Sequence, residues 1–430
     1  LPEARQYAPG GAVMTMVDQA AKNPVLPQAR SSTLLTNPAR LRRIARLWIG
    51  IAAISWLVDL LQQTREGLSN GLGRPFGDDF VNYWSGAFLA FHGRIGEVYD
   101  FAAFHAFEQS VTAQNIQYYH YSYPPVLPLL TLPLAFIPYV PALFVWLGTT
   151  WYAFYRALRL TGQAGALLLS LAAPALFINA VAGQNGAMSA ALLGGGLVLI
   201  DRRPVVAGIL FGMMIYKPHL ALMLPIALLA GRRWLVVLVT GATTVLLVAT
   251  SVAVYGVDAW LHYLRNVDLL RTVILEDGTG VSHRMVSVFV FARHFGADAA
   301  LSYALQAVGA LVAAVFIARA WWRDEPAHIR NAVLLVGTCL ATPYLQDYDL
   351  MLGAFVVVWL QMAEEGSKVP PRWIRTAMAM ILLLPLVSAP LAKFIGPSVG
   401  ALVFIPVFAI LIYLGAEYAR KPACERPAVS

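Results

Sequence analysis

The chain has 430 residues, of which 59% are hydrophobic and only 13% charged, with a formal net charge of +8. A soluble protein of this length carries about twice that share of charged residues. Long apolar stretches recur from Leu47 onward, so the fold class is an all-α polytopic membrane protein.

The alternating short segments of a closed β-barrel are absent. Two cysteines, Cys339 and Cys424, give no disulfide framework and no metal set. Residues 1–43 are rich in Pro, Ala and polar residues and read as a flexible cytoplasmic tail. No cleavable signal peptide is visible ahead of Leu47.

Arg40, Arg42, Arg43 and Arg46 precede the first apolar segment, 44–62. That end is expected in the cytoplasm and the following loop, 63–123, outside. This loop carries Gly77-Asp78-Asp79-Phe80-Val81-Asn82-Tyr83-Trp84. Carboxylates where the chain meets the membrane face are functional candidates by default. Phe80, Tyr83, Trp84, Ala87, Phe88 and Phe91 recur at helical spacing. They predict an amphipathic helix at the interface over 79–92, with a second over 101–113. Asp78 or Asp79 suits its N-cap. Two adjacent carboxylates exceed what one cap requires, so one is a candidate general base.

Residues 124–158 contain Pro124, Pro125, Pro128, Pro133, Pro138 and Pro141, which predict a broken or re-entrant element. Segments 164–182 and 184–200 pair across Gly183-Gln184-Asn185-Gly186. Gln184 and Asn185 are either helix caps or cavity-lining residues. Segments 204–216 and 219–230 are short: thirteen residues reach ~20 Å, less than the hydrocarbon core. Their joint, Tyr216-Lys217-Pro218-His219, is expected to line a cavity in the outer half of the membrane. Lys217 there either snorkels to the interface or meets a phosphate, with His219 beside it.

Segment 234–255 leads to a second outer loop, 256–296, whose most polar stretch is Glu276–Arg284. Ser282, His283 and Arg284, at the start of a helix expected over 284–295, form a candidate anion site. Segments 297–320, 329–343 and 350–362 follow, with Asp347 and Asp349 at an outer helix end as caps or functional residues and Tyr348 between them. Segments 373–390 and 399–418 complete a transmembrane domain over 44–420, with about twelve crossings. Residues 421–430 read as a cytoplasmic tail. By this count every polar motif falls on the outer side.

Asp79-Phe80-Val81-Asn82-Tyr83-Trp84, followed by His92-Gly93 and Val98-Tyr99-Asp100, resembles the first outer loop of glycosyltransferase family 87. Tyr123-Pro124-Pro125, Gly183-Gln184-Asn185-Gly186, Lys217-Pro218 and Arg232-Arg233-Trp234 recur in that family's order. The resemblance implies a GT-C-type bundle with amphipathic helices in large outer loops. It implies a polyprenyl-phosphate-mannose-dependent mannosyltransferase in the bacterial inner membrane, with its site on the periplasmic face. The partners would be a polyprenyl-phosphate sugar donor and a lipid or glycan acceptor, with no cofactor, metal or nucleic acid.

An outer-loop Asp would be the catalytic base, by position Asp79, with Asp78 as an adjacent alternative. Lys217 would face the donor phosphate. Independently of the resemblance, Tyr83, Trp84, Gln184, Asn185, Asp347 and Tyr348 are the acceptor-binding or cavity-lining candidates. Pro343–Asp349 departs from the family pattern, where aromatic and His residues are prominent, so the acceptor is expected to differ. A lipid or polysaccharide transporter or flippase shares the broken helices and intramembrane charge. A glycan polymerase or ligase shares the chemistry. Both are alternatives, although no internal repeat is visible, and only Arg265, Arg271, Arg284 and Arg293 match the arginine-rich loop of the latter.

Overall fold

A computed structural model describes residues 38–278, 282–365, 367–396 and 398–420. The expected tails, for residues 1–37 and 421–430, and Thr279-Gly280-Val281 of the polar stretch lie outside the described residues. The described residues from Ala45 onward form one compact unit; of the preceding unit only Pro38–Ile44 is described, and it is helical. In chain order the helices are α1 (Pro38–Gln62), α2 (Phe80–Phe91), α3 (Ile95–Val98), α4 (Phe101–Val111), α5 (Val126–Thr131), α6 (Tyr139–Arg159), α7 (Ala166–Ala172), α8 (Pro174–Val181), α9 (Gly186–Leu199), α10 (Pro204–Met213), α11 (Leu224–Ala230), α12 (Trp234–Tyr255), α13 (Val257–Leu270), α14 (Val288–His294), α15 (Ala299–Trp322), α16 (Ala327–Ala341), α17 (Gly353–Glu364), α18 (Pro371–Ile395) and α19 (Gly400–Arg420). No strand occurs among the described residues.

Five of these, α1, α12, α15, α18 and α19, are long and apolar enough to cross a bilayer. They leave large apolar side chains uncovered: Leu47, Ile54 and Leu57 on α1, Leu238 and Val245 on α12, Leu311 and Val315 on α15. Each such side chain left in water forgoes about 1.5–3 kcal/mol. The uncovered faces therefore suit lipid, and the protein is a membrane protein. At the centre stand α9 and α16. Every residue from Ile329 to Ala341 is buried, and α15, α17 and α19 pack around α16 while α6 and α10 pack on α9. The other expected segments are shorter or interrupted. Pro174 separates α7 from α8, and α10 ends in a 3-10 turn, Met214–Tyr216, ahead of Lys217.

Three expectations change. The helix over 79–92 exists as α2, but it has no free apolar face: ten of its 12 residues are buried, with α5 and the 3-10 turn Leu132–Phe136 packed on it. The proline-rich stretch is broken as expected over α5 and the turn Leu132–Phe136, but the break does not extend to residue 158: α6 is a single 21-residue helix. The helix expected from residue 284 starts only at Val288, since the Ser287 side chain caps it by accepting from the amide of Val290. Ser282, His283 and Arg284 instead form a 3-10 turn.

At the end of α9 remote from Gly186, Arg330 is fully buried and pairs with Asp201 and, at 2.6 Å, with Asp324. Arg233 joins Asp201 at 2.9 Å. These bonds tie the connections after α9, α11 and α15 together. At the other end the glycines of Gly183-Gln184-Asn185-Gly186 decide the assembly. Gly183 has φ +58°, and a Cβ there would overlap the carbonyl oxygen of Gly77. A Cβ at Gly186 would overlap the carbonyl oxygen of Tyr348. Both obstacles are backbone and cannot rotate away. Gly186→Ala is therefore expected to destabilise the fold by about 1–3 kcal/mol, the range for overpacking. A thermal unfolding midpoint in detergent equal to that of the parent protein would contradict this close approach.

Candidate active site

The turn before α2 is built by Arg74. Its guanidinium reaches Asp59 at the end of α1 (2.7 Å), Asp78 (2.8 Å) and the carbonyl of Val181 at the end of α8 (2.8 Å). The second carboxylate oxygen of Asp78 accepts from the Tyr119 hydroxyl at 2.6 Å. Both oxygens of Asp78 are thus taken by protein groups. Asp79 is held differently. It occupies the N-cap position of α2, yet its side chain makes no capping bond. Its carboxylate accepts from the Gln184 amide nitrogen at 2.6 Å and lies 4.0 Å from the Arg284 guanidinium. Its side chain is 24% exposed, against 15% for Asp78. Burial, with Asp78 next to it, holds the Asp79 carboxyl up at about 7, against the pull of Arg284 and the Gln184 hydrogen bond. A carboxyl poised there at neutral pH suits proton abstraction.

Neither Gln184 nor Asn185 caps α9 through its side chain. The Gln184 side-chain carbonyl accepts from the Tyr83 hydroxyl. The Asn185 amide nitrogen donates to the hydroxyls of Tyr83 (3.0 Å) and Tyr123 (2.8 Å). The Asn185 carbonyl accepts from the Lys217 ammonium at 2.9 Å. Lys217 is buried and paired with Asp349 at 2.5 Å, with its ammonium 4.6 Å from the centre of the Tyr348 ring. Its charge is matched inside the protein. Asp349 also accepts from the backbone amide of Gln346 (3.2 Å), closing the start of the 3-10 turn Asp347–Leu352.

Arg284 is the more open cation. It contacts Asp347 at 3.1 Å, looks toward Asp79 and lies over the same Tyr348 ring at 5.6 Å. The backbone supports this meeting: Val286 donates to Leu345 at 2.9 Å, beside a bridge between Met285 and Gln346.

The sequence model of glycosyltransferase family 87 matches residues 121–343, just over half of the chain. The chain belongs to glycosyltransferase family 87. No curated protein and no solved structure matches it. Family 87 membership makes the protein a glycosyltransferase and removes the transporter and flippase alternatives. The matched residues include Tyr123, Gln184, Asn185, Lys217 and Arg284; Asp78, Asp79, Asp347 and Tyr348 lie beyond them, so their place in the site rests on geometry.

Asp79, Tyr83, Gln184, Asn185, Lys217, Arg284, Asp347 and Tyr348 are thus connected through side-chain contacts. Trp84 does not join them. One residue on from Tyr83 it points about 100° away around the helix, donates to the carbonyl of Ile137 at 2.9 Å and stacks on Phe88. His219 packs its ring edge-on against Tyr344, and its carbonyl accepts from Thr342. Ser282 and His283 share the turn of Arg284 and are half-buried.

Arg74, Tyr119 and Tyr123 are the members that sequence reasoning missed. For the tyrosines a signal existed: Tyr119, Tyr121 and Tyr123 alternate, the period of an extended chain with one face turned inward. Lys217→Met would leave Asp349 charged, buried and unpaired, a change expected to cost about 3–5 kcal/mol. Lys217→Met/Asp349→Leu should recover most of that loss. If the double variant unfolded as early as the single one, the pair would not be the source of the stability.

Proposed function

We propose that this family 87 protein transfers a sugar, mannose by the family resemblance, from a polyprenyl-phosphate donor to a lipid or glycan acceptor. The observation that carries the proposal is Asp79: an uncapped, partly exposed carboxyl near pKa 7, oriented by Gln184 and facing a cation. The acceptor hydroxyl loses its proton to Asp79 and attacks the anomeric carbon. The bond from that carbon to the phosphate oxygen breaks, and the lipid phosphate leaves with the electron pair. The transition state is oxocarbenium-like. Arg284, held between Asp347 and Asp79, is the cation we assign to the leaving phosphate. Lys217, already matched by Asp349, supports the site from behind. Such a leaving group calls for no nucleotide-binding metal and no cofactor.

A lipid-linked donor is further supported by an apolar groove of about 580 Å³ between α14, α15 and α19. Val288, four residues after Arg284 in the chain, lines it together with Phe291, Leu305, Val312, Leu402 and Ile405. The proposal includes a GT-C-type bundle of about twelve crossings, counting the shorter and broken helices with the five long ones. It puts the protein in a bacterial inner membrane with the site on the periplasmic face.

Asp79→Asn should lower the rate of consumption of polyprenyl-phosphate mannose by about 10²–10⁴-fold with donor binding retained. Since the base acts as the carboxylate, the parent enzyme should lose rate as pH falls through about 7. Turnover of Asp79→Asn at the parent rate would remove the general-base role. Single-cysteine labelling at exposed positions tests the sidedness: residues 72 and 278 should react from outside, and 202, 232 and 368 only from the cytoplasm. Labelling of residue 278 from the cytoplasm would reject the periplasmic assignment.

A further inference from the structure

The strongest feature without a role in the transfer is the cluster around Asp78. Asp78 has φ +52°, a left-handed conformation that an Asp adopts only at a cost. The conformation is held from every side. Arg74 and Tyr119 take both carboxylate oxygens. The amide of Gly77 donates to the Gln63 side chain at 2.7 Å, and the carbonyl of Phe76 accepts from the Tyr139 hydroxyl. Gly183 closes against the carbonyl of Gly77. A strained residue directly before the proposed base, over-determined by five separate groups, is the pattern of a positioned site.

We propose that Arg74 and Asp78 are positioning residues for Asp79: the Arg74–Asp78–Tyr119 cluster fixes the left-handed turn that aims the Asp79 carboxylate at Gln184 and Arg284, and the paired charges of Arg74 and Asp78 set the field in which it titrates. The inference rests on the reading of Asp79 as the base. The two parts act together. Arg74 reaches α1 and α8 at once, so the turn carrying Asp79 is tied to the same helix end that carries Gln184. A misplacement of about 1 Å in a catalytic group costs about 10²-fold in rate. Electrostatically, the Asp78 carboxylate favours the proton on Asp79 and Arg74 opposes it.

Other groups also face Asp79. Arg284 comes from the turn before α14 and Lys217 from the joint after α10. Glu108 lies on α4. The phenols are Tyr83 on α2, Tyr119 and Tyr123 in the extended stretch before α5, and Tyr344 and Tyr348 between α16 and α17. Of these only Tyr119 bonds directly to Asp78; the others keep their own partners when Arg74 or Asp78 is changed.

The test is the titration of Asp79, read by infrared as the carboxyl band present in each protein and absent after Asp79→Asn, together with the pH–rate profile for consumption of polyprenyl-phosphate mannose. Asp78→Asn keeps the shape but removes the negative neighbour, so the midpoint should fall by about one pH unit. Arg74→Met leaves Asp78 uncompensated, so the midpoint should rise, by less than Asp78→Asn lowers it. Arg74→Lys keeps the charge but not the fork: the midpoint should stay, while kcat falls about tenfold at unchanged donor KM.

A merely structural clamp would lower thermal stability in these variants without moving the midpoint in opposite directions. Midpoints that stay fixed, or that shift the same way in Asp78→Asn and Arg74→Met, would overturn the inference. If Arg74→Met fails to fold, Asp78→Asn and Arg74→Lys still decide it. Full turnover by Asp79→Asn would remove the general-base reading and leave the infrared result standing. An inactive Asp79→Asn with unmoved midpoints would do the reverse.

Discussion

The buried contact between Lys217 and Asp349 is the one on which the site depends. Each partner sits where a helical path is interrupted, Lys217 between α10 and α11 and Asp349 between α16 and α17. A break inside an apolar bundle exposes backbone groups and demands polar partners. An ammonium and a carboxylate in such a place are tolerable only together and only with their remaining hydrogen bonds made. Here they are made: Lys217 also donates to Asn185, and Asp349 also accepts from the amide of Gln346. From Asn185 the chain of contacts runs to Tyr83 and Tyr123, and from Tyr83 to Gln184 and Asp79. The proposed base stands at the end of a polar network rooted in that pair.

The two carboxylates of the Asp78-Asp79 step have been given different work by their surroundings. Asp78 is saturated by Arg74 and Tyr119 and lies in a strained turn. Asp79 is held through one oxygen and partly open. The cations divide in the same way. Lys217 is enclosed and neutralised, whereas Arg284, although forked onto Asp347 through three hydrogen bonds, is 17% exposed and turns its remaining edge toward Asp79 across a 4.0 Å gap. Rigidity is concentrated behind the site, and the partly exposed groups are at its front. Preorganisation of this kind lets a site stabilise developing charge without rearranging.

The sequence by itself determined the class and the inventory. Local signals were enough: apolar runs gave α1, α12, α15, α18 and α19 within a few residues at most ends, and helical spacing gave α2 and α4. The order of short motifs gave family 87 before any geometry was known. Only the tertiary structure decided what each polar residue touches. Asp78 and Asp79 are indistinguishable as letters; they part because Arg74 and Tyr119 arrive from 4 and 41 residues away at one, and Gln184 from 105 residues away at the other. Lys217 was expected at the interface or on a phosphate, and its carboxylate partner was not visible because it lies 132 residues downstream. The burial of α2 was equally invisible, since an apolar face reads the same whether lipid or protein covers it. Periodicity and composition are properties of neighbouring residues. Pairing of charges and close backbone approach, as at Gly183 and Gly186, are set by chain segments that meet only once the bundle has formed.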